Sequence, residues 1–262
     1  MRSERTELLA AYQAAISYLQ ADSVCEDRPR SQEQIIMEAI GRKLISPLPH
    51  DGLPSNGLSS IPLARGSAIR AYLSTLIEHT CVQHRQSFGS STICPAPRLV
   101  VTGVRLYANP HLQRQYVLAL NDIHSKTHPE AHLCSPPELT RFQVPDACFM
   151  ATCAEYLLLH GTAPEHLHAI MEEGLDPRRG GESAGRLFGA AAYLACNASK
   201  ADQYTDPPSP KPRLPKTAKR TMIIVRAALG RIYETTIAMQ EALKPPAPVR
   251  GKAYDSALAL SR

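Results

Sequence analysis

No run of apolar residues in this chain approaches the ~20 that a bilayer-spanning helix needs. The first twenty residues alternate charged with apolar side chains and lack the compact apolar stretch of a signal peptide. Neither a spanning helix nor a secretory leader is therefore expected, and an intracellular location, nuclear or cytoplasmic, is. No CxxC pair occurs among the seven cysteines (Cys25, Cys81, Cys94, Cys134, Cys148, Cys153 and Cys196), and their odd number without framework spacing speaks against a disulfide scaffold. GxGxxG is absent too, so a Rossmann dinucleotide site fails at its fingerprint. Nor is the charge extreme. A formal +5 on 262 residues permits an anionic partner without identifying one.

What is present suits a soluble globular protein, with 44% hydrophobic and 20% charged residues on a chain long enough for one large domain or two small ones. The 22 prolines cluster, and so mark linkers and an insertion rather than general disorder. One local group, His79, Cys81, His84 and Cys94, has enough donors for a zinc ion, but structural zinc sites show tighter paired spacings. The expected arrangement is Cys81 packed in a helix, both histidines facing water, and no metal.

The chain divides near residue 97. Residues 1–97 read as a helical N-terminal region with Pro- and Ser-rich linkers. Leu8, Leu9, Tyr12, Ile16 and Leu19 form one stripe, and Ser31 with Gln34 resembles a capping box before Ile35, Ile36, Ala39 and Ile40. Proline and glycine break the pattern over residues 46–65. A third helix is predicted from about Ser67, with Ile69, Leu73, Leu76 and Ile77 on its buried side. These helices would form a small bundle or dock onto the second part of the chain. Beyond residue 97 the texture is mixed α and β: a strand over 98–107, a helix over 109–123, a strand ending in LLLHGT, and a last strand in TMIIVRAALG. That alternation points to an α+β domain.

The informative stretch is 157–205. Leu157, Leu158 and Leu159 make an apolar strand that delivers His160 and Gly161 to its exposed end. Thr162, Pro164 and Glu165 read as a helix start with Thr162 as hydroxyl N-cap, and Gly174 as its αL stop. Gly180, Gly181, Gly185 and Gly189 make a pliable loop. Tyr193 falls mid-strand among small residues, and 199–204 suits one or two helical turns. Together these residues outline a crevice with an imidazole, bare backbone groups and two tyrosines, better suited to a planar polar ring than to a metal.

In order and spacing, the stretch resembles the NAD-binding core of the poly(ADP-ribose) polymerase family, tankyrases included. His160-Gly161-Thr162 matches its HG[ST], and residues 173–178 its EGLDPR. Residues 188–195 match its FGxGIYFA, and 199–204 its SKSxxY. MIIVRAALGRIYE is similar to the next core strand, residues 252–258 to the start of the loop before the last strands, and NPHLQRQY to the domain entry. The resemblance covers residues 98–262. It implies an ADP-ribosyltransferase fold of short strands in two small sheets with flanking helices. It also implies NAD as substrate, with the nicotinamide–ribose bond cleaved through an oxocarbenium-like transition state. His160 would bond a ribose hydroxyl, the Gly161 backbone the carboxamide, and Tyr193 and Tyr204 would sandwich the ring. Thr162 and Arg178 would be contacts for the adenosine half. His160 and Tyr193 are thus the catalytic candidates.

The pattern departs at three places. The family's catalytic glutamate lies on a strand beyond the loop that starts near Asp255 and Ser256, whereas the sequence ends at Arg262, and Glu234 on the earlier strand does not match. Ala201 stands where many members have a serine that bonds the carboxamide, and Ala190 and Ala191 crowd the FGxG turn. The expected activity is mono- rather than poly-ADP-ribosyl transfer to a protein or nucleic-acid acceptor, the alternative being a binding or structural module without turnover. Strand edges left open without the last strands would be covered by a partner chain or by the first hundred residues, or else the sequence is a fragment or an imperfect gene model. Residues 206–220, with five basic residues and one acidic, read as a solvated loop or as a contact for an anionic partner.

Overall fold

A computed structural model describes residues 59–66, 68–85, 91–126, 154–180, 186–207, 215, 217–248 and 253–260. The two helices expected over residues 1–45 lie outside them. The described residues form a mixed α+β arrangement whose sheets are two-stranded ladders. In chain order the strands are β1 (Ser59–Pro62), β2 (His84–Arg85), β3 (Ile93–Cys94), β4 (Arg105–Ala108), β5 (Glu155–Gly161), β6 (Met222–Ala228), β7 (Ile232–Thr235) and β8 (Ser256–Ala259). The helices are α1 (Ala68–His79), α2 (Pro110–Lys126), α3 (Leu167–Glu173) and α4 (Ala198–Asp202), with 3₁₀ turns at Pro164–His166 and Pro177–Arg179.

The centre is β5, antiparallel to β6 over seven pairs from Glu155↔Ala228 to Gly161↔Met222. Its continuous run Tyr156, Leu157, Leu158 and Leu159 is buried throughout, as a strand covered on both faces requires. From the N-terminal side of the chain, α1 sets Leu73 and Leu76 against Tyr156, Leu157 and Leu158, and Ile77 against Leu159, Ala198 and Ala201. The predicted third helix therefore docks onto the second part of the chain. It ends at Thr80, whose hydroxyl donates to the Leu76 carbonyl at 2.8 Å and so satisfies one of the last-turn oxygens.

Asn109 caps α2, its Oδ1 accepting from the N–H groups of His111 (3.0 Å) and Leu112 (3.2 Å), with Pro110 as first helical residue. Its Nδ2 donates to the carbonyls of Met171 (3.0 Å) and Glu172 (2.8 Å) at the end of α3. One side chain thus joins two helix ends.

Several local expectations are corrected. The strand predicted over 98–107 narrows to β4, because its partner is the four-residue β1, which itself lies in the segment read as a break. Thr162 is not a helix cap: it is buried, and the 3₁₀ turn begins at Pro164 behind Ala163 with no side-chain cap bond. Gly174 ends α3 at φ 87°, ψ −176°, the extended mirror-image region rather than αL, which only glycine adopts readily. The strand expected around Tyr193 reduces to one bridge, Leu159↔Ala195, because residues 188–193 fold back into a tight loop. Residues 256–259, read as the start of a loop, form β8, parallel to β7, where Leu258 packs on the core. Cys81 follows α1 instead of lying in it, with its thiol donating to the Ile77 carbonyl at 3.1 Å.

A buried charge pair stands at the start of β5. The Glu155 side chain is 1% exposed and that of Arg226 9%, with Arg226 Nη2 2.7 Å from Glu155 Oε1. Arg226 Nε (2.8 Å) and the Tyr116 hydroxyl (2.5 Å) donate to the same oxygen. Each charge needs the other here, since an isolated buried ion is costly.

Candidate active site

The exposed end of β5 presents His160 and Gly161. His160 Nδ1 lies 2.9 Å from the Tyr193 carbonyl. A carbonyl only accepts, so Nδ1 carries the proton, and in the neutral ring Nε2 keeps its lone pair. Burial lowers the His160 pKa below its usual 6.5, with the Tyr193 carbonyl bond acting in the opposite sense. At pH 7 the imidazole is neutral, with Nε2 free to accept a hydroxyl hydrogen.

Backbone parity decides what Gly161 can do. Leu159 exchanges both backbone hydrogen bonds with Ala195, at 2.9 and 2.8 Å, so it faces the edge of β5 away from β6. Two residues on, Gly161 turns its N–H and C=O to that same edge. Continued antiparallel pairing would set Tyr193 opposite Gly161, but the pairing stops at the single Leu159–Ala195 bridge. An unladdered donor and acceptor therefore sit side by side, the pattern a primary carboxamide complements.

Gly161 is also sterically fixed. A Cβ there would meet the Ala201 carbonyl oxygen at 1.8 Å and the Tyr204 Cβ at 3.2 Å. The α4 backbone thus lies directly on the glycine and roots Tyr204 beside it. Tyr204 is 41% exposed, and Lys200 Nζ sits 5.4 Å from its ring centroid. Tyr193 meets the end of β5 through its carbonyl, which accepts from His160 Nδ1. Its hydroxyl donates to the Gly189 carbonyl at 2.7 Å and accepts from Phe188 N–H at 3.1 Å, closing a turn in which Gly189 has φ +88°.

The structure thus brings His160, Gly161, Tyr193 and Tyr204 together. Thr162 comes directly after Gly161 and is buried. Arg178 shows no contact with these four: its guanidinium, 89% exposed, is forked onto Asp176 at 2.8–3.1 Å, which holds the Asp176 carboxyl below its usual range. Among the described residues no hydrogen bond or ion pair joins a carboxylate to His160, Tyr193 or Tyr204. Glu155 is at the opposite end of β5, five residues or roughly 16 Å away, and Glu234 is exposed on β7. No three His, Cys, Asp or Glu side chains gather as metal ligands among the described residues, and no helix there is long and apolar enough to cross a membrane.

Two supporting contacts escaped the sequence reading. Thr80 Oγ1 accepts from Ala198 N–H (3.2 Å), supplying the cap that Asn197 does not. Ser199 Oγ accepts from Val82 N–H at 3.1 Å. No local signal marks contacts between positions 118 and 117 residues apart. Arg220, counted among the basic residues of a solvated loop, is instead 15% exposed and paired with Asp206 at 2.9 Å.

Residues 121–256, just over half of the chain, match the family model described as the poly(ADP-ribose) polymerase catalytic domain.

Proposed function

Since the chain belongs to the poly(ADP-ribose) polymerase catalytic-domain family, we propose that the β5 edge is its nicotinamide site and that it transfers ADP-ribose from NAD to a protein or nucleic-acid acceptor, as single units. The observation that carries this reading is the unladdered backbone edge of Gly161, close to the Tyr204 Cβ and next in the chain to a neutral His160 bonded to the Tyr193 carbonyl. Gly161 would bond the carboxamide through its N–H and C=O. Tyr193 and Tyr204 would flank the ring, the offset contact contributing about 0.5–1.5 kcal/mol beyond burial. His160 Nε2 would accept a ribose hydroxyl, and its neutrality avoids repelling the pyridinium charge of NAD. These groups hold the leaving ring and the sugar as the glycosidic bond breaks. Thr162 and Arg178 are assigned to the adenosine half.

A second reading, a nicotinamide- or NAD-binding module without turnover, is favoured by the placement of Glu155 and Glu234, neither of which reaches His160. Nicotinamide release from NAD by the purified chain, beside His160→Ala and Tyr193→Ala variants, separates the two. Release abolished in both variants supports transfer. Binding of NAD without release supports the module. Neither binding nor release from folded protein would refute the site itself.

A further inference from the structure

Tyr204 is more exposed than the residues around it, so its place depends on backbone anchors rather than on packing of its ring. Those anchors converge on one arginine outside its helix. Arg220 Nη1 donates to the Thr205 hydroxyl at 2.9 Å and pairs with Asp206 Oδ1 at 2.9 Å. Its Nε stands 3.8 Å from Asp202 Oδ1. Thr205 Oγ1 in turn donates to the Asp202 carbonyl at 2.7 Å, so the residues before and after Tyr204 are drawn to one guanidinium. All three charged side chains are mostly buried, 15% exposed for Arg220, 20% for Asp202 and 18% for Asp206, where solvent screens such pairs less than at the surface. Arg220 lies two positions before Met222, the β6 residue in register with Gly161. The guanidinium therefore ties the Tyr204 turn to the strand end that holds the other half of the pocket.

We infer that Arg220 is a positioning residue for the nicotinamide pocket, fixing the Tyr204 turn against the Gly161 edge without touching the ligand. The inference rests on the pocket reading above. A preset aromatic wall spares the ligand the ordering of a side chain and its turn on binding, and the planar fork of arginine suits several acceptors at once. Lysine could keep the charge but not the set of bonds.

The test measures binding of free nicotinamide by calorimetry and amide exchange over residues 198–206 in the wild type, Arg220→Ala, Arg220→Lys, Tyr204→Ala and the Arg220→Ala/Tyr204→Ala double variant. Arg220→Ala is expected to weaken nicotinamide about tenfold, the scale of ordering one aromatic side chain and its turn, with Arg220→Lys in between. In the Tyr204→Ala background the same change has no further effect, because the wall it positions is gone. Exchange rises over 202–206 and stays unchanged along β5. Equal weakening with or without Tyr204, unchanged exchange in the turn, or exchange raised throughout the protein would each overturn the assignment. If the wild type binds no nicotinamide, the pocket reading falls, and the exchange measurement alone decides what Arg220 does.

Discussion

Replacing Gly161 with alanine probes the tightest contact at the site. The new Cβ would lie 1.8 Å from the Ala201 carbonyl oxygen, where ordinary contact begins at 3.4 Å. The obstacle is helix backbone, not the flexible end of a side chain, so α4 must retreat from β5 by well over 1 Å. Such overpacking costs about 1–3 kcal/mol. At about 2–4 °C per kcal/mol for a chain of this size, the thermal midpoint should drop by roughly 2–12 °C. The retreat also draws Tyr204 away from the Gly161 edge, and a misplacement on this scale costs about ten- to a hundredfold in a positioned interaction. Gly66→Ala and Gly103→Ala are the controls, because nothing lies within 4 Å of a Cβ at either; both should stay within about 0.5 kcal/mol of wild type. Thermal melts and nicotinamide titration of the three variants decide the matter. A Gly161→Ala protein that melts with the controls and binds nicotinamide like the wild type would refute the packing of α4 on the strand end and the site built on it.

Glu155→Gln should cost about 3–5 kcal/mol, because it leaves the Arg226 charge buried without its counter-ion. Urea denaturation reads this, and a loss under about 1 kcal/mol would mean that water reaches the pair. The pH dependence comes from His160. Its folded pKa lies below the unfolded 6.5, so the unfolded chain binds the proton first. Stability from this group is complete above about pH 6.5 and falls as pH drops from there toward the folded value, and His160→Gln should remove that part of the slope. NAD affinity should hold from pH 8 to 6.5 and weaken only below, as the ring gains charge. Weakening already between pH 8 and 7 would contradict a neutral, burial-depressed imidazole.

Helices α1 and α2 and the central strand were legible because each repeats its signal many times. Leu73, Leu76 and Ile77 mark the buried face of α1, and the run from Tyr156 to Leu159 marks a strand covered on both sides. His160, Gly161, Tyr193 and Tyr204 could be singled out from their positions at element ends and in motifs. β1 and β8 were hidden, because four residues offer barely two alternations and their pairing is decided by a distant partner. Thr162 misled for a related reason: hydroxyl, proline and glutamate make a fair local cap, but burial of the threonine moved the start to Pro164. Thr80 and Arg220 were illegible in principle from local pattern. Their role exists only once segments far apart in sequence meet.

The cap that Thr80 places on α4 also orders events in time. The first N–H of that helix finds its acceptor 118 residues upstream, so the contact requires closing a loop that spans nearly half the chain. Closure of this kind precedes any reward from the contacts it allows. A five-residue helix is too short to persist alone in water. The wall carrying Tyr204 is therefore expected to take shape only once α1 has found β5. Anything that delays that meeting delays the pocket.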